Sequence, residues 1–500
     1  MPQRPRLVVL GLDSVTPELI FRRFRPVMPN LSYVLDHAAF GPLRSCDPPI
    51  TIPAWAVMFT GRDPGSLGLY GFRNRRRGSY FEMEAPTPSG LPYPPVWDLL
   101  SRAGRRVCVV GMPPGYPPPP VNGIYVSDLL TPPGATDIAS PPSVRAEIEA
   151  ASGGYRFDIE FRRGDRAGTA RDLFEMTERR WKAVRHLWDR EPWDFFAVHE
   201  IGPDRLHHAF WKYFDPDHPR HEEHPEFSSI AERYYASLDT EIGDLLEQVG
   251  EDVNVLLTSD HGTQAMQGCF CVNEWLRSKG YLVLKGDSPP PGTPIESAAI
   301  DWKRTRVWGG GGYYARLTVN LRGREPHGIV DPSDLGSLRE ELGRELQRVA
   351  RPDGRPLGVE LFEPASLYQE VRGTPPDLLA YFGGLAFRSA GTIGHGSWFL
   401  EENDTGPDDA VHDRDGILVA TGPSIAPRGP IPRARIADVA PTILKLFGLP
   451  KPSGMPSEPI EGLLRSAGLL RAGRPCDGPG SKGAPLRGDV DTSEGEVSRS

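Results

Sequence analysis

The stretch RLVVLGLD, residues 6–13, decides the fold class. An unbroken apolar run of this length, with no polar alternation, is the pattern of a strand covered on both faces. Such strands belong to parallel sheets with helices on either side, and this one ends in a carboxylate, Asp13. The same grammar recurs along the chain. RRVCVVGMP (105–113) is a second buried strand, preceded by the helical VWDLLSRAG. A helical stretch from about Ala167 to Asp189 leads into the strand WDFFAVHEIG, and another from about Ser228 to Val249 leads into VNVLLTSDHG. MPNLSYVLDHAAFG reads as a short helix entering a strand. Late in the chain DGILVATGP (415–423) is again a strand, and RIADVAPTILKLFGL (435–449) is an amphipathic helix. Alternating strands and helices predict an α/β fold, a mostly parallel sheet flanked by helices. Ligands in such folds sit beyond the carboxyl ends of strands. Asp13, Asp204 and Asp260 all fall at or just past such ends.

Between about Gln267 and Pro376 the pattern changes. GGYYARLTVNLRG alternates like antiparallel strands, and the helical DLGSLREELGRELQRVA follows. The expected organisation is a core over 1–266, an inserted smaller subdomain over 267–376, a return to the core over 377–468, and a disordered tail over 469–500. That tail is Gly, Pro, Ser and charge with little to bury.

Composition narrows the function classes. The chain has 500 residues, 38% of them hydrophobic, and a net charge of −9, which argues against nucleic-acid duplex binding. Five cysteines show no disulfide framework. Cys269-Phe270-Cys271 is C-x-C rather than C-x-x-C, read as a strand with its thiols on opposite faces and with no zinc or redox role. The apolar run near the N-terminus is too short for a signal-peptide core. No stretch approaches the ~18 apolar residues of a membrane span, so no membrane partner is expected. The reading is a reduced, cytoplasmic protein.

PPITIPAWAVMFTG (48–61) places one hydroxyl, Thr51, between proline brackets and ahead of an apolar helix. Thr51 reads as an N-cap, with Pro53 harmless in the first turn. It also reads as a nucleophile, because a helix N-terminus offers free amides and a positive dipole end to a phosphate. A threonine hydroxyl then needs a base or a metal ion to activate it. Four other segments offer ligands: Asp13 ends the first strand, GPDRLHHAFW sets Asp204 and His208 four apart on one helix face, TSDHG joins Asp260 to His261, and His412 precedes a late strand. Three Asp and three His plus Thr51 suit two Zn²⁺ or Mn²⁺ ions better than Ca²⁺, which prefers oxygen alone.

Taken in order, VVLGLDSV, MPNLSYVLDHAAFGPLRS, PPITIPAWAVMFTGRDPG, GPDRLHHAFW, LLTSDHG and VHDRDGILVATGP resemble the alkaline phosphatase superfamily. Within it they are similar to the type I phosphodiesterase/nucleotide pyrophosphatase family, over roughly residues 5–450. The resemblance implies an alkaline-phosphatase-like fold and two divalent metal ions, Zn or Mn. Asp204, His208 and His412 would hold one, and Asp13, Thr51, Asp260 and His261 the other. His207 competes with His208, but the family spacing D-x-x-x-H selects His208. The implied activity is a metal-dependent phosphodiesterase or pyrophosphatase acting on a small phosphorylated substrate through a covalent phospho-threonine. A phosphomonoesterase, a phosphotransferase or mutase, and a non-catalytic binding relative are the alternatives on the same scaffold.

The chain departs from the family at one position. Relatives carry an Asn after the nucleophile helix that touches the phosphate, and counting on from Thr51 that position is Phe72. Nucleotide selectivity is therefore not carried over. The sulfatase motif C-x-P-x-R is absent, because Cys46-Asp47-Pro48-Pro49-Ile50 lacks the Arg. The cluster Arg73–Arg77 reads as a solvated loop that could also draw anions, and His395 in GTIGHGSW as a loop histidine. Diesters are expected to be preferred, with Trp55, Phe72, Tyr313 and Tyr314 supplying an apolar surface for the second substituent.

Overall fold

The computed structural model describes residues 5–426, 429–431 and 433–465. The expected tail over 469–500 lies outside them. The main sheet runs, from one edge to the other, through Gly429–Pro430, Ala39–Arg44, Asp415–Thr421, Asn254–Thr258, Leu7–Leu12, Phe195–Glu200, Val107–Val110, Gly123–Val126 and Ala139–Ser140. Leu7–Leu12 lies at its centre, parallel to both neighbours, with Gly11 opposite His199 on one side and Thr258 on the other. Its six residues are all buried, as the unbroken apolar run requires. Asp415–Thr421 runs antiparallel to Asn254–Thr258 and to Ala39–Arg44. That reversal carries the segment before it, with His412, back to the carboxyl ends of the parallel strands.

Alternate residues of the central strand feed two cores. Val8, Leu10 and Leu12 pack with the helices Arg166–Arg190, Gly202–Phe214 and Ile230–Val249. Leu7 and Val9 pack with Thr51–Thr60, Val96–Arg102 and Val439–Leu446 on the other face. The long helix Arg166–Arg190 starts where the Asp165 side chain accepts from the Gly168 amide. Leu173, Met176, Thr177, Arg180, Val184 and Leu187 then recur at helical spacing on its buried side.

A second, seven-stranded sheet contains the hairpin Val307–Gly310 and Ala315–Val319, covered by the helix Leu335–Gln347. The boundary expected at 376 is corrected by its pairing. Leu378–Phe382 is hydrogen-bonded to Ala315–Val319, and Phe387–Ala390 and Phe399–Leu400 also pair in this sheet, so the chain leaves it only after Leu400. The apolar run LLAYF reads equally well in either sheet by periodicity, and only the strand partner decides. The expectation of opposite faces for Cys269 and Cys271 is also corrected. Residues two apart on a strand share a face. Both thiols pack with Met266, Ala390 and Val411, while Phe270 faces the other core.

Candidate active site

The strands Leu7–Leu12, Phe195–Glu200 and Asn254–Thr258 end side by side, and each hands on a functional group. Asp13 follows the first and is held by two neighbours. Trp55 Nε1 donates to Asp13 Oδ2 at 3.0 Å, and His199 Nε2 lies 2.8 Å from the same oxygen. Trp55 reaches it by packing across Gly11, where a Cβ would come within 2.5 Å of the indole ring. Asp260 and His261 follow the third strand, where the Ser14 amide donates to Asp260 Oδ1 at 3.2 Å.

After the middle strand, Glu200 accepts from the Gly202 amide, Arg180 and Trp181, which pins the start of the helix Gly202–Phe214. Asp204 in its first turn and His208 one turn on face the same way. His208 Nε2 lies 3.3 Å from Asp204 Oδ1. His412 arrives on Ala410–Asp413, which pairs antiparallel with Gly262–Ala265. Its ring stacks on His261 at 3.8 Å.

Asp204, His208 and His412 thus form one triad, and Asp13, Asp260 and His261 another, each with its ligand atoms within 4.8 Å of one another. All six residues are buried. Thr51 is buried too, with Oγ1 3.3 Å from His261 Nε2. Its reading as an N-cap is corrected. Ile50, in extended conformation, holds the cap position, and Thr51 is the first helical residue. A cap hydroxyl folds back onto its own helix, whereas that of Thr51 points to the triad.

The donor chemistry fits two divalent cations. His261 Nδ1 donates to the Gly262 carbonyl at 3.0 Å and His412 Nδ1 to the Pro49 carbonyl at 2.8 Å. These bonds fix the tautomer and turn each Nε2 lone pair inward. His208 Nδ1 donates to Asp408 Oδ1 at 2.7 Å, the carboxylate–histidine arrangement that orients metal ligands. Asp13 Oδ1, Asp260 Oδ2, Asp204 Oδ1 and His412 Nε2 are buried with no hydrogen-bond donor. Four converging orphan acceptors are costly unless cations satisfy them.

The charges agree. Burial and the adjacent Asp13 push the Asp260 carboxyl well above its usual range. Burial, then the His261 ring, hold His412 well below the usual histidine value. Burial likewise lowers His261. Burial opposes charge on His208, but Asp408, Tyr313 and Asp204 outweigh it and raise the ring well above its usual value. A cation at Nε2 answers the same carboxylates that favour a proton there. His207 stands apart. It lies between Thr263 and Tyr235, and burial pushes it down to about 3, the environment of a neutral packing residue.

Several contributors escaped the sequence reading. Asp408 is fully buried and receives Arg162 and Arg388 as well as His208. Tyr313, from the second sheet, sets its hydroxyl 3.2 Å from His208 Nε2 and stacks on His412 at 3.6 Å. Arg205 donates to Asp204 Oδ2 at 2.5 Å, and Trp55 and His199 hold Asp13. Only the acidic pair Asp408-Asp409 ahead of His412 was a visible signal.

The apolar surface expected of Trp55 and Tyr314 is corrected as well. Trp55 is fully buried against Asp13, and Tyr314 is buried with its hydroxyl on the Tyr70 carbonyl. Phe72 remains half-buried beside Ile50 and Tyr313. His395 contacts Thr392 and belongs to neither triad. Within the arginine cluster, Arg75 pairs with Glu325 and Arg76 with Glu82 and Glu84.

Trp55→Phe should keep the ring packing and lose the donor to Asp13. Metal affinity should fall about 10- to 100-fold, the usual cost of a lost outer contact. Competitive chelator titration reads it, and unchanged affinity would assign the indole N–H to packing alone.

Comparison with known proteins is consistent with this architecture. No curated protein matches the chain. Among solved structures, human ectonucleotide pyrophosphatase/phosphodiesterase 5 superposes with a TM-score of 0.54 at 13% identity, covering 93% of this chain and 100% of that one. At that identity the likeness speaks to the fold. The family model for type I phosphodiesterase/nucleotide pyrophosphatase matches residues 7–382, from the first strand into the second sheet. The chain belongs to the type I phosphodiesterase/nucleotide pyrophosphatase family, within the alkaline phosphatase superfamily.

Proposed function

We propose that the chain is a dinuclear metal-dependent phosphodiester hydrolase with Thr51 as nucleophile. The observation that carries this reading is the buried hydroxyl of Thr51, with Oγ1 set 3.3 Å from His261 amid the unpaired oxygens of Asp13, Asp260 and Asp204. Two divalent cations, when bound, supply Lewis acidity that favours the threonine alkoxide and offsets charge developing on the phosphoryl oxygens. Thr51 Oγ attacks phosphorus, the bond to one ester oxygen breaks, and that arm leaves as an alcohol. Water then attacks the phospho-threonine, frees Thr51 and releases the monoester. The first-turn amides of Thr51 and Ile52 lack intrahelical partners and favour the phosphate oxygens.

Diesters suit the charge around Thr51 better than monoesters, which carry a further negative charge. Arg62, the first basic residue after Thr51, turns its guanidinium to the Gly454 and Ser453 carbonyls. Arg44 lies 3.9 Å from Asp415. Neither is placed to balance a dianion. With bis-p-nitrophenyl phosphate and p-nitrophenyl phosphate compared at equal metal loading, kcat/KM should favour the diester by about tenfold or more. Elemental analysis should find two equivalents of Zn or Mn per chain. A tenfold preference for the monoester would reverse the assignment.

A further inference from the structure

A cavity of about 520 Å³ lies beside the metal centre, against the second sheet. It abuts the centre through Arg162 and Arg388, which line it and both grip Asp408, the carboxylate on His208. One wall is the run Gly309–Gly312, just before Tyr313. At Gly309 and Gly311 the neighbours leave no room for a side chain. A Cβ on Gly309 would come 2.6 Å from Val272, and one on Gly311 would come 2.3 Å from the Gly391 amide. The result is a flat strip of backbone in a cavity also lined by the aromatic residues Trp308 and Tyr80.

The cavity's cations are not all neutralised. Arg75 pairs with buried Glu325, and Arg162 and Arg388 share one carboxylate. Arg388 Nε is buried without a partner. Arg316 donates to the Gly311 carbonyl at 2.9 Å and, like Arg73, pairs with no acid among the described residues. Two acidic residues, Asp404 and Glu296, also line the cavity. Asp404 is taken up by the Gly391 and Thr392 amides and the Thr392 hydroxyl, and Glu296 is exposed. A flat slot ending in guanidinium groups is matched by a flat, apolar stem bearing an anion. Arg316 is the residue free to make a forked contact with that anion.

We propose that this cavity is a subsite for one arm of the substrate, and that the arm carries its own carboxylate or phosphate at the end of a flat stem, read by Arg316 with Arg73. The proposal rests on the phosphodiesterase reading above for the position of the scissile phosphate. It explains why Arg316, on the second sheet, and Arg73, which also lines the cavity, have no acid partner, while no such arginine stands beside Thr51. Charge there selects the substrate's remote group and leaves the reacting phosphate to the metal centre.

The test uses the metal-loaded full chain and two inhibitors that differ by one group, benzylphosphonate and 4-carboxybenzylphosphonate. The phosphonate occupies the centre, and the ring is left to enter the cavity. The inhibition constant against bis-p-nitrophenyl phosphate should be at least about tenfold lower for the carboxylated compound. The ratio of the two constants should fall to near one in Arg316→Gln, hold an intermediate value in Arg316→Lys, and drop partway in Arg73→Gln. Equal constants for the unmodified protein overturn the proposal. So does a ratio that survives Arg316→Gln or, should that variant not fold, one that Arg316→Lys and Arg73→Gln both leave unchanged. Calorimetric titration of the two compounds reads the same preference without turnover. Loss of the hydrolase reading therefore shows as absent turnover, and loss of the subsite as equal affinities.

Discussion

Thr51→Ala should lower turnover of bis-p-nitrophenyl phosphate by roughly 10³-fold or more, the scale of losing a covalent nucleophile. The fold should survive, because the Thr51 hydroxyl does not cap the helix Thr51–Thr60, whose anchoring comes from the buried Ile52, Trp55, Met58 and Phe59. Both metals should remain bound, since all six residues of the triads are untouched. Thr51→Ser, which keeps the oxygen and loses only a methyl, should recover a measurable part of the rate. Mass spectrometry of the quenched protein during turnover should show one added phosphoryl or phosphodiester group, absent in Thr51→Ala. Turnover near that of the unmodified chain in the alanine variant would remove Thr51 from the chemistry. The hydrolysis would then be assigned to direct attack by water.

His412→Ala and Asp260→Asn should each reduce bound metal from two equivalents toward one, with activity falling more than about 100-fold. The two variants differ in what they do to the metal-free protein. His412 fills space between Tyr313 and His261, at ring separations of 3.6 Å and 3.8 Å, so its removal leaves a void beside the core. The metal-free form of His412→Ala should melt lower. Asp260→Asn acts oppositely. Burial and Asp13 push the Asp260 carboxyl up, so above the unfolded pKa this group costs stability that the unfolded chain does not bear. That cost is absent below the unfolded pKa and grows as pH rises. The asparagine removes it, so the metal-free variant should melt no lower than the parent near pH 7 and should lose the stabilisation that metal gives the parent. Thermal melts with and without chelator, alongside elemental analysis, separate the cases. Two full equivalents of metal in both variants would show that the triads do not hold the ions.

The α/β class was legible from the chain alone, because strands buried on both faces carry apolar runs without polar alternation, as Leu7–Leu12 does throughout and as Phe195–Val198 and Val255–Leu257 do within their strands. The groups at their carboxyl ends followed, since a parallel sheet places such ends together. The pair Asp204 and His208 followed from helical spacing. These are local properties, set by a repeat of two or of 3.6 residues. What depends on partners distant in sequence was decided only by the tertiary structure. Whether Leu378–Phe382 belongs to the first sheet or the second is a matter of which strand it meets, and that is Ala315–Val319. The tautomer of His412 is set by the backbone carbonyl of Pro49, 363 residues away. Trp55 had the composition of a surface aromatic for a substrate, yet the missing Cβ of Gly11 on a neighbouring strand lets it reach Asp13 instead. Thr51 fitted an N-cap by type and position, but the hydroxyl turns to His261 because the chain enters the helix one residue earlier, at Ile50. Periodicity tells which face of an element is buried; what that face touches is a long-range contact, and no local pattern encodes it.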